Sequence, residues 1–298
     1  AKEACGFLTC CVLDPKKDKG TALFDLINTT LVSSTERIEM DLGIGGRKAI
    51  VCASSRGLGK ACAASLLAEG CDVVINGRNS ETLDQAVTEL GQHAAGSILA
   101  VCADATNEEG RSALLAACPD PDILVTNADG PMPGSYRQWD QAAWEAAMQA
   151  NMLGPTLLIR DVVDGMRERK FGRIINITSA MVKSPHPFMG LSTAARTALT
   201  AFCKGLSKEV AADNVTVNSL LPERFDTDRQ EFMAQMAVQF KGLSYEEARA
   251  EMIESIAAGR LGKPSEFGDA CAFLCSSQAG FISGQNLQLD GGSYDGLL

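Results

Sequence analysis

Two arginines and a run of small residues mark where this chain can hold phosphate. Ala53-Ser54-Ser55-Arg56-Gly57-Leu58-Gly59 joins an apolar, strand-like run to a helical one. Small residues let the backbone turn tightly there, and the first turn of the helix offers free N–H groups to a pyrophosphate. The next apolar run, Val73-Val74-Ile75-Asn76-Gly77-Arg78, closes without an acid. A carboxylate at that place suits a ribose 2′-hydroxyl, whereas a guanidinium suits a 2′-phosphate. Arg56 and Arg78 therefore point to NADP(H), with Ser54, Ser55, Gly57, Leu58 and Gly59 forming the phosphate loop.

That loop needs a scaffold, and the hydrophobic pattern supplies one. Strands are expected at Lys48–Ala53, Cys71–Asn76, Ile98–Ala103, Ile123–Asn127, Arg173–Thr178, Val215–Leu221 and Asn286–Leu289. Helical stretches such as Gly59–Ala68, Gln141–Lys170 and Thr193–Ala212 lie between them. Buried β-branched runs alternating with amphipathic crossovers predict an α/β, doubly wound (Rossmann) parallel sheet. Residues 40–298 form the expected single domain. The stretch 228–260 breaks the alternation and is expected to be a helical insert above the C-terminal edge of the sheet, where such folds bind ligands. Residues 1–39 differ in character and are expected to be an extension with no part in the chemistry, a partner-binding arm being the alternative.

Bulk properties narrow the field further. A chain of 298 residues can bury one large α/β core, and 46% hydrophobic with 21% charged residues is ordinary globular composition. A net charge of −10 and a pI near 4.8 argue against nucleic-acid or anionic-membrane partners. Seven of the eleven cysteines (Cys52, Cys62, Cys71, Cys102, Cys203, Cys271, Cys275) fall in apolar stretches and are expected to be buried as small hydrophobes. With two histidines and no C-x-x-C pair, a metal site is not expected. No apolar run is long enough to span a bilayer, and a cytoplasmic setting is the expectation.

From about residue 41 to the end, the chain resembles the short-chain dehydrogenase/reductases, particularly their ketoacyl-carrier-protein-reductase-like branch. The phosphate loop, Asn127-Ala128, Asn151 on the long helix, Ser179 closing the fifth strand and the tail Gly284–Gly292 ("GQNLQLDGG") carry the likeness. The resemblance implies an oxidoreductase acting on a small-molecule substrate, assembled as a homotetramer or homodimer. It implies that Asp104, Ala105, Asn127 and Thr227 line the cofactor, that Ser179 polarises a carbonyl, and that Asn151 orders a proton-relay water.

The chain departs from that family where the chemistry is done. The family's Y-x-x-x-K motif falls on Ser192-Thr193-Ala194-Ala195-Arg196, thirteen residues beyond Ser179. An aliphatic hydroxyl is far too weak an acid to replace a phenol of pKa about 10. Arg196 can donate hydrogen bonds to the nicotinamide ribose as the lysine does, but it does not give up its proton. One helical turn apart, both side chains are expected to face the cofactor. Ala53, Thr126, Asp129 and Glu223 also differ from the family pattern, and Ala53 carries a cost if the turn demands a positive φ. A substitute proton donor is sought in the loop after Ser179, where Lys183 is the first candidate; His186 and Tyr245 are others. Three readings follow: an NADPH-dependent reductase of a ketone or 3-oxoacyl-type substrate, a non-redox enzyme on the same fold, and a catalytically silent NADP(H)-binding or regulatory protein.

Overall fold

The structure is a computed structural model and describes residues 40–297. The expected extension at 1–39 lies outside the described residues. From Leu42 onward the chain packs as one compact unit. Seven strands form one parallel sheet: β1 (Lys48–Val51), β2 (Asp72–Gly77), β3 (Ile98–Cys102), β4 (Ile123–Thr126), β5 (Gly172–Ile177), β6 (Val215–Pro222) and β7 (Asn286–Leu289). Their order is β3-β2-β1-β4-β5-β6-β7, so the winding reverses between β1 and β4. That switch opens a crevice at the C-terminal edge of the sheet, the ligand position of open α/β folds.

The crossovers are α1 (Gly57–Ala68), α2 (Ser80–Gly91), α3 (Glu108–Ala117), α4 (Gln141–Met148), α5 (Gly154–Glu168), α6 (Gly190–Val210) and α9 (Pro264–Cys275). Two further helices, α7 (Asp228–Lys241) and α8 (Tyr245–Glu254), occupy the stretch read as an insert. Local chemistry starts several helices: the side chains of Asn79, Asn107 and Asp140 accept N–H groups in the first turns of α2, α3 and α4. Each sheet face buries its own core. Leu66, Leu67, Ile75 and Phe267 belong to one, and Ile50, Leu124, Leu158 and Ile174 to the other.

Three expectations need correction. The helix expected over Gln141–Lys170 is broken by a π turn at Gln149–Leu153, where the Gly154 N–H donates to Gln149, five residues back. Pro155 has no N–H to give the Asn151 carbonyl, which releases the ordinary pattern at that point. Strand β1 ends at Val51 rather than Ala53, because the phosphate loop begins two residues sooner. Cys102 is exposed, unlike the other six cysteines read as core, because it closes the edge strand β3. Burial pushes the Cys52 and Cys203 thiols up to about 12, so both behave as packing groups.

Candidate active site

The phosphate loop is strained where the sequence suggested. Ala53 has φ +45°, left-handed backbone that costs a side-chain-bearing residue about 1–2 kcal/mol. The loop compensates through Asn76, whose carboxamide takes the Ala53 N–H at 3.3 Å and donates to the carbonyls of Val101 and Ala103 at 3.1 and 2.9 Å. The Asn76 N–H in turn donates to Ser54 Oγ at 2.9 Å, while the Ser54 hydroxyl donates to the Val51 carbonyl at 2.6 Å. Asn127 closes the other side, donating Nδ2–H to the Ala53 carbonyl at 3.2 Å. Gly59 is required by contact, since a Cβ there would lie 2.3 Å from the Ala53 oxygen. The helix thus starts with its N–H groups against the crevice, a cradle that fits a dinucleotide pyrophosphate. The sequence signalled Asn76 only as a missing acid; its role as the loop's anchor emerges from these contacts.

Each of the two arginines expected to hold the 2′-phosphate has an acidic neighbour. Arg56 lies 3.7 Å from Asp228 at the start of α7, and Arg78 pairs with Asp129 after β4. Asp104, beyond β3, accepts the Thr106 N–H and hydroxyl at 2.9 and 2.8 Å. Burial pushes its carboxyl up, but the Thr106 hydrogen bonds and Arg78 outweigh that and hold it below the ordinary aspartate value. Ala105 and Thr227 are half-buried beside these groups in sequence, Thr227 immediately before α7.

Deeper in, Ser192 and Arg196 are both buried, at 4% and 7% exposure. Arg196 Nε donates to Ser192 Oγ at 3.2 Å; its Nη1 donates to the Ile177 and Thr178 carbonyls at 2.6 and 3.0 Å, and its Nη2 to Ala128 at 3.2 Å. The guanidinium therefore clips the ends of β5 and β4 to α6. Burial, with Arg229 adding and Asp129 opposing, pulls it down to about 10, still cationic at neutral pH. Most of the donors expected to reach a ribose are spent on backbone, which a sequence pattern cannot reveal.

Asn151 sits on the π turn and donates Nδ2–H to the Asp129 and Ala147 carbonyls at 3.3 and 3.4 Å. Its buried Oδ1 receives no hydrogen bond from the described protein, so it is set to take one from a water or a ligand. Ser179 lies two residues beyond β5, not at its end as expected, and accepts the Met181 N–H on Oγ at 3.2 Å, leaving its own proton to donate. Lys183 follows on the same short turn, half-buried, with Nζ 5.6 Å from the centre of the Tyr294 ring. The parallel β6–β7 pairing returns the C-terminal tail, with Tyr294, to this edge of the sheet. His186 is exposed and caps a turn, its Nδ1 accepting the Phe188 N–H at 3.3 Å. Tyr245 donates to Glu231 at 2.5 Å, and that hydrogen bond pushes its phenol up, making it a poorer acid. Among the described residues, no His/Cys/Asp/Glu group is arranged to hold a metal ion. No described helix is long and apolar enough to cross a membrane.

Comparison with known proteins places the fold in a family. The family model for enoyl-(acyl carrier protein) reductase matches residues 52–294. The chain is 34% identical over 258 residues to the 3-oxoacyl-[acyl-carrier-protein] reductase of Vibrio cholerae, covering 85% of this chain and 99% of that one. It is 28% identical over 256 residues to an NADPH-dependent reductase of Bacillus subtilis, covering 84% and 99%. L-sorbose reductase from Gluconobacter frateurii, solved with NADPH and L-sorbose, matches with a TM-score of 0.81 at 28% identity, over 87% of this chain and 100% of that one. With a seven-stranded parallel sheet and relatives spanning nearly their whole length, this chain belongs to the short-chain dehydrogenase/reductase superfamily, in its ketoacyl-carrier-protein-reductase-like branch.

Proposed function

We propose that this oxidoreductase reduces a ketone or 3-oxoacyl-type substrate with NADPH, at a site that works without a tyrosine–lysine pair. One observation carries the reading: Ser179 and the buried Asn151 Oδ1 keep a donor and an acceptor to spare, with Lys183 on the turn that Ser179 opens, while Arg196 is tied to Ser192 and to backbone. The bound cofactor supplies the hydride. Ser179 donates a hydrogen bond to the ketone oxygen and so draws charge onto it as the bond to carbon forms. Lys183 delivers the proton, and Asn151, its amide fixed by two carbonyls, holds the water that restores it. Arg196 keeps the strand ends in register beneath these groups.

The choice of NADPH rests on Arg56 and Arg78, with no acid at the end of β2; the NADPH-dependent relatives support it. Ser54, Ser55, Gly57, Leu58 and Gly59 hold the pyrophosphate, while Asp104, Ala105, Asn127 and Thr227 line the remainder. A homo-oligomer and a cytoplasmic setting belong to the same reading.

A second reading, a silent NADP(H) binder, is favoured by one fact: the tyrosine place holds a buried serine hydroxyl, bonded by Arg196, and no phenol. Titration with NADPH and NADH, followed by NADPH oxidation over a ketone panel, separates the two. Preferential NADPH binding with ketone-dependent oxidation supports the reductase; binding without oxidation supports the silent protein.

A further inference from the structure

Gly130 follows Asp129 in the loop after β4, and the space its missing side chain leaves is open. Apart from its chain neighbours, the only atoms of the described residues within 4 Å of a Cβ built there are two guanidinium nitrogens, Arg229 Nη2 at 3.8 Å and Arg196 Nη2 at 3.9 Å. The two groups arrive from different elements. Arg196 comes from the buried face of α6; Arg229 comes from the first turn of α7 and donates to the Pro131 carbonyl at 3.4 Å. Burial weakens the hold of each guanidinium on its charge, and Arg229 adds to that effect at Arg196. Like charges brought together out of water are costly unless an anion joins them. The one acid that offsets both, Asp129, is also paired with Arg78.

We infer that this gap receives the carboxylate of the substrate, which makes the natural substrate an anionic keto acid rather than an uncharged ketone or thioester. This rests on the reductase reading and narrows it. A carboxylate oxygen packed against the Gly130 Cα from the side of the two Nη2 groups would take charge-assisted hydrogen bonds from both, and these would fix its orientation. The gap adjoins the Asp129 carbonyl held by Asn151 and the Ala128 carbonyl held by Arg196. Asn151, which holds the proposed relay water, thus hydrogen-bonds the residue before the gap, and this favours a ketone carried close to the carboxylate, as in a 2-oxo or 3-oxo acid. The loop's glycine is needed for this: any side chain at 130 would fill the space.

Acetoacetate and ethyl acetoacetate share a 3-oxo carbonyl and differ by the charge, so they serve as probes. The acid is expected to have at least about tenfold higher kcat/KM than the ester, and to bind the protein–NADP⁺ complex measurably more tightly by calorimetry. Arg229→Met should bring the acid-to-ester ratio close to one, and Arg229→Lys should recover part of it; melting curves of both variants report folding. Equal use of acid and ester by the unaltered protein overturns the inference. So does an Arg229→Met variant that binds NADPH more weakly while keeping the ratio, since the anion is then the cofactor's own phosphate. If neither probe is reduced but the acid alone binds, the carboxylate site stands and the reductase reading fails. If ketones are reduced without regard to charge, the reductase reading stands and this site falls.

Discussion

Arg196 donates to Ser192 one turn behind it on α6 and, through the same guanidinium, to the last carbonyls of β5 and the Ala128 carbonyl after β4. A lysine at this place has one nitrogen and three N–H bonds, and cannot span all four acceptors. The double change Ser192→Tyr with Arg196→Lys is therefore expected to do two things. It should lower thermal stability, by about 1–3 kcal/mol for the buried acceptors left unpaired. It should also raise ketone reduction, because a positioned phenol contributes roughly 10²–10⁴-fold as a general acid. Denaturant unfolding and single-turnover NADPH oxidation read the two effects separately.

The phosphate loop gives a test with opposite signs six residues apart. Ala53→Gly relieves a left-handed backbone and should leave stability equal or raise it by up to about 1 kcal/mol, since relief of strain is partly offset by glycine's chain entropy. Gly59→Ala places a methyl 2.3 Å from the Ala53 oxygen and should move the loop, weakening NADPH binding at least tenfold. Urea midpoints and cofactor titration check the pair. If Ala53→Gly destabilises by more than 1 kcal/mol, the left-handed turn is not where the strain lies.

Much of this was legible in the residues because burial repeats. The sheet, the phosphate loop and the crevice follow from β-branched runs, a glycine cluster and alternation, each a local pattern with a periodic signature. The cost at Ala53 was readable too, since only backbone stereochemistry was needed. What stayed hidden depends on side chains meeting across the fold. Asn76 as the loop's anchor, Arg229 opposite Arg196, and Tyr294 beside Lys183 each join positions far apart in the chain. The departure at 192 and 196 was visible, but the fate of the Arg196 donors was not, because carbonyls at strand ends carry no sequence mark.

Arg78 is held by Asp129, an exposed pair whose worth is about 0.2–1 kcal/mol. Asp129→Gly should therefore tighten NADPH by no more than about fivefold and leave NADH within twofold, because only the 2′-phosphate competes for that guanidinium. Arg78→Asp should reverse the preference. Parallel titrations with both cofactors are sufficient; equal affinities of the unaltered protein for NADPH and NADH would remove the role of Arg78.

Glu223 adjoins the end of β6, where burial pushes its carboxyl up, Arg224 at 3.7 Å pulls it down and Asp290 pushes it up again. A raised folded value means its contribution to stability is complete below the unfolded carboxyl range, about 4.3, and is lost as pH rises through the folded value. Glu223→Gln removes that loss. The variant should gain stability over the unaltered protein between pH 4 and pH 7. Denaturation midpoints at the two pH values decide it, and a gain confined to pH 4 has the wrong sign.

The central claim is that the proton comes from the turn after Ser179 and not from position 192. The direct measurement is the rate of NADPH oxidation with a 3-oxo substrate by the unaltered protein and by Lys183→Ala, each saturated with cofactor. Substrate-dependent oxidation is expected of the first and a loss of about 10²-fold or more in the second, with NADPH affinity unchanged. Turnover that survives Lys183→Ala intact, or a protein that binds NADPH and oxidises none of it, contradicts the account.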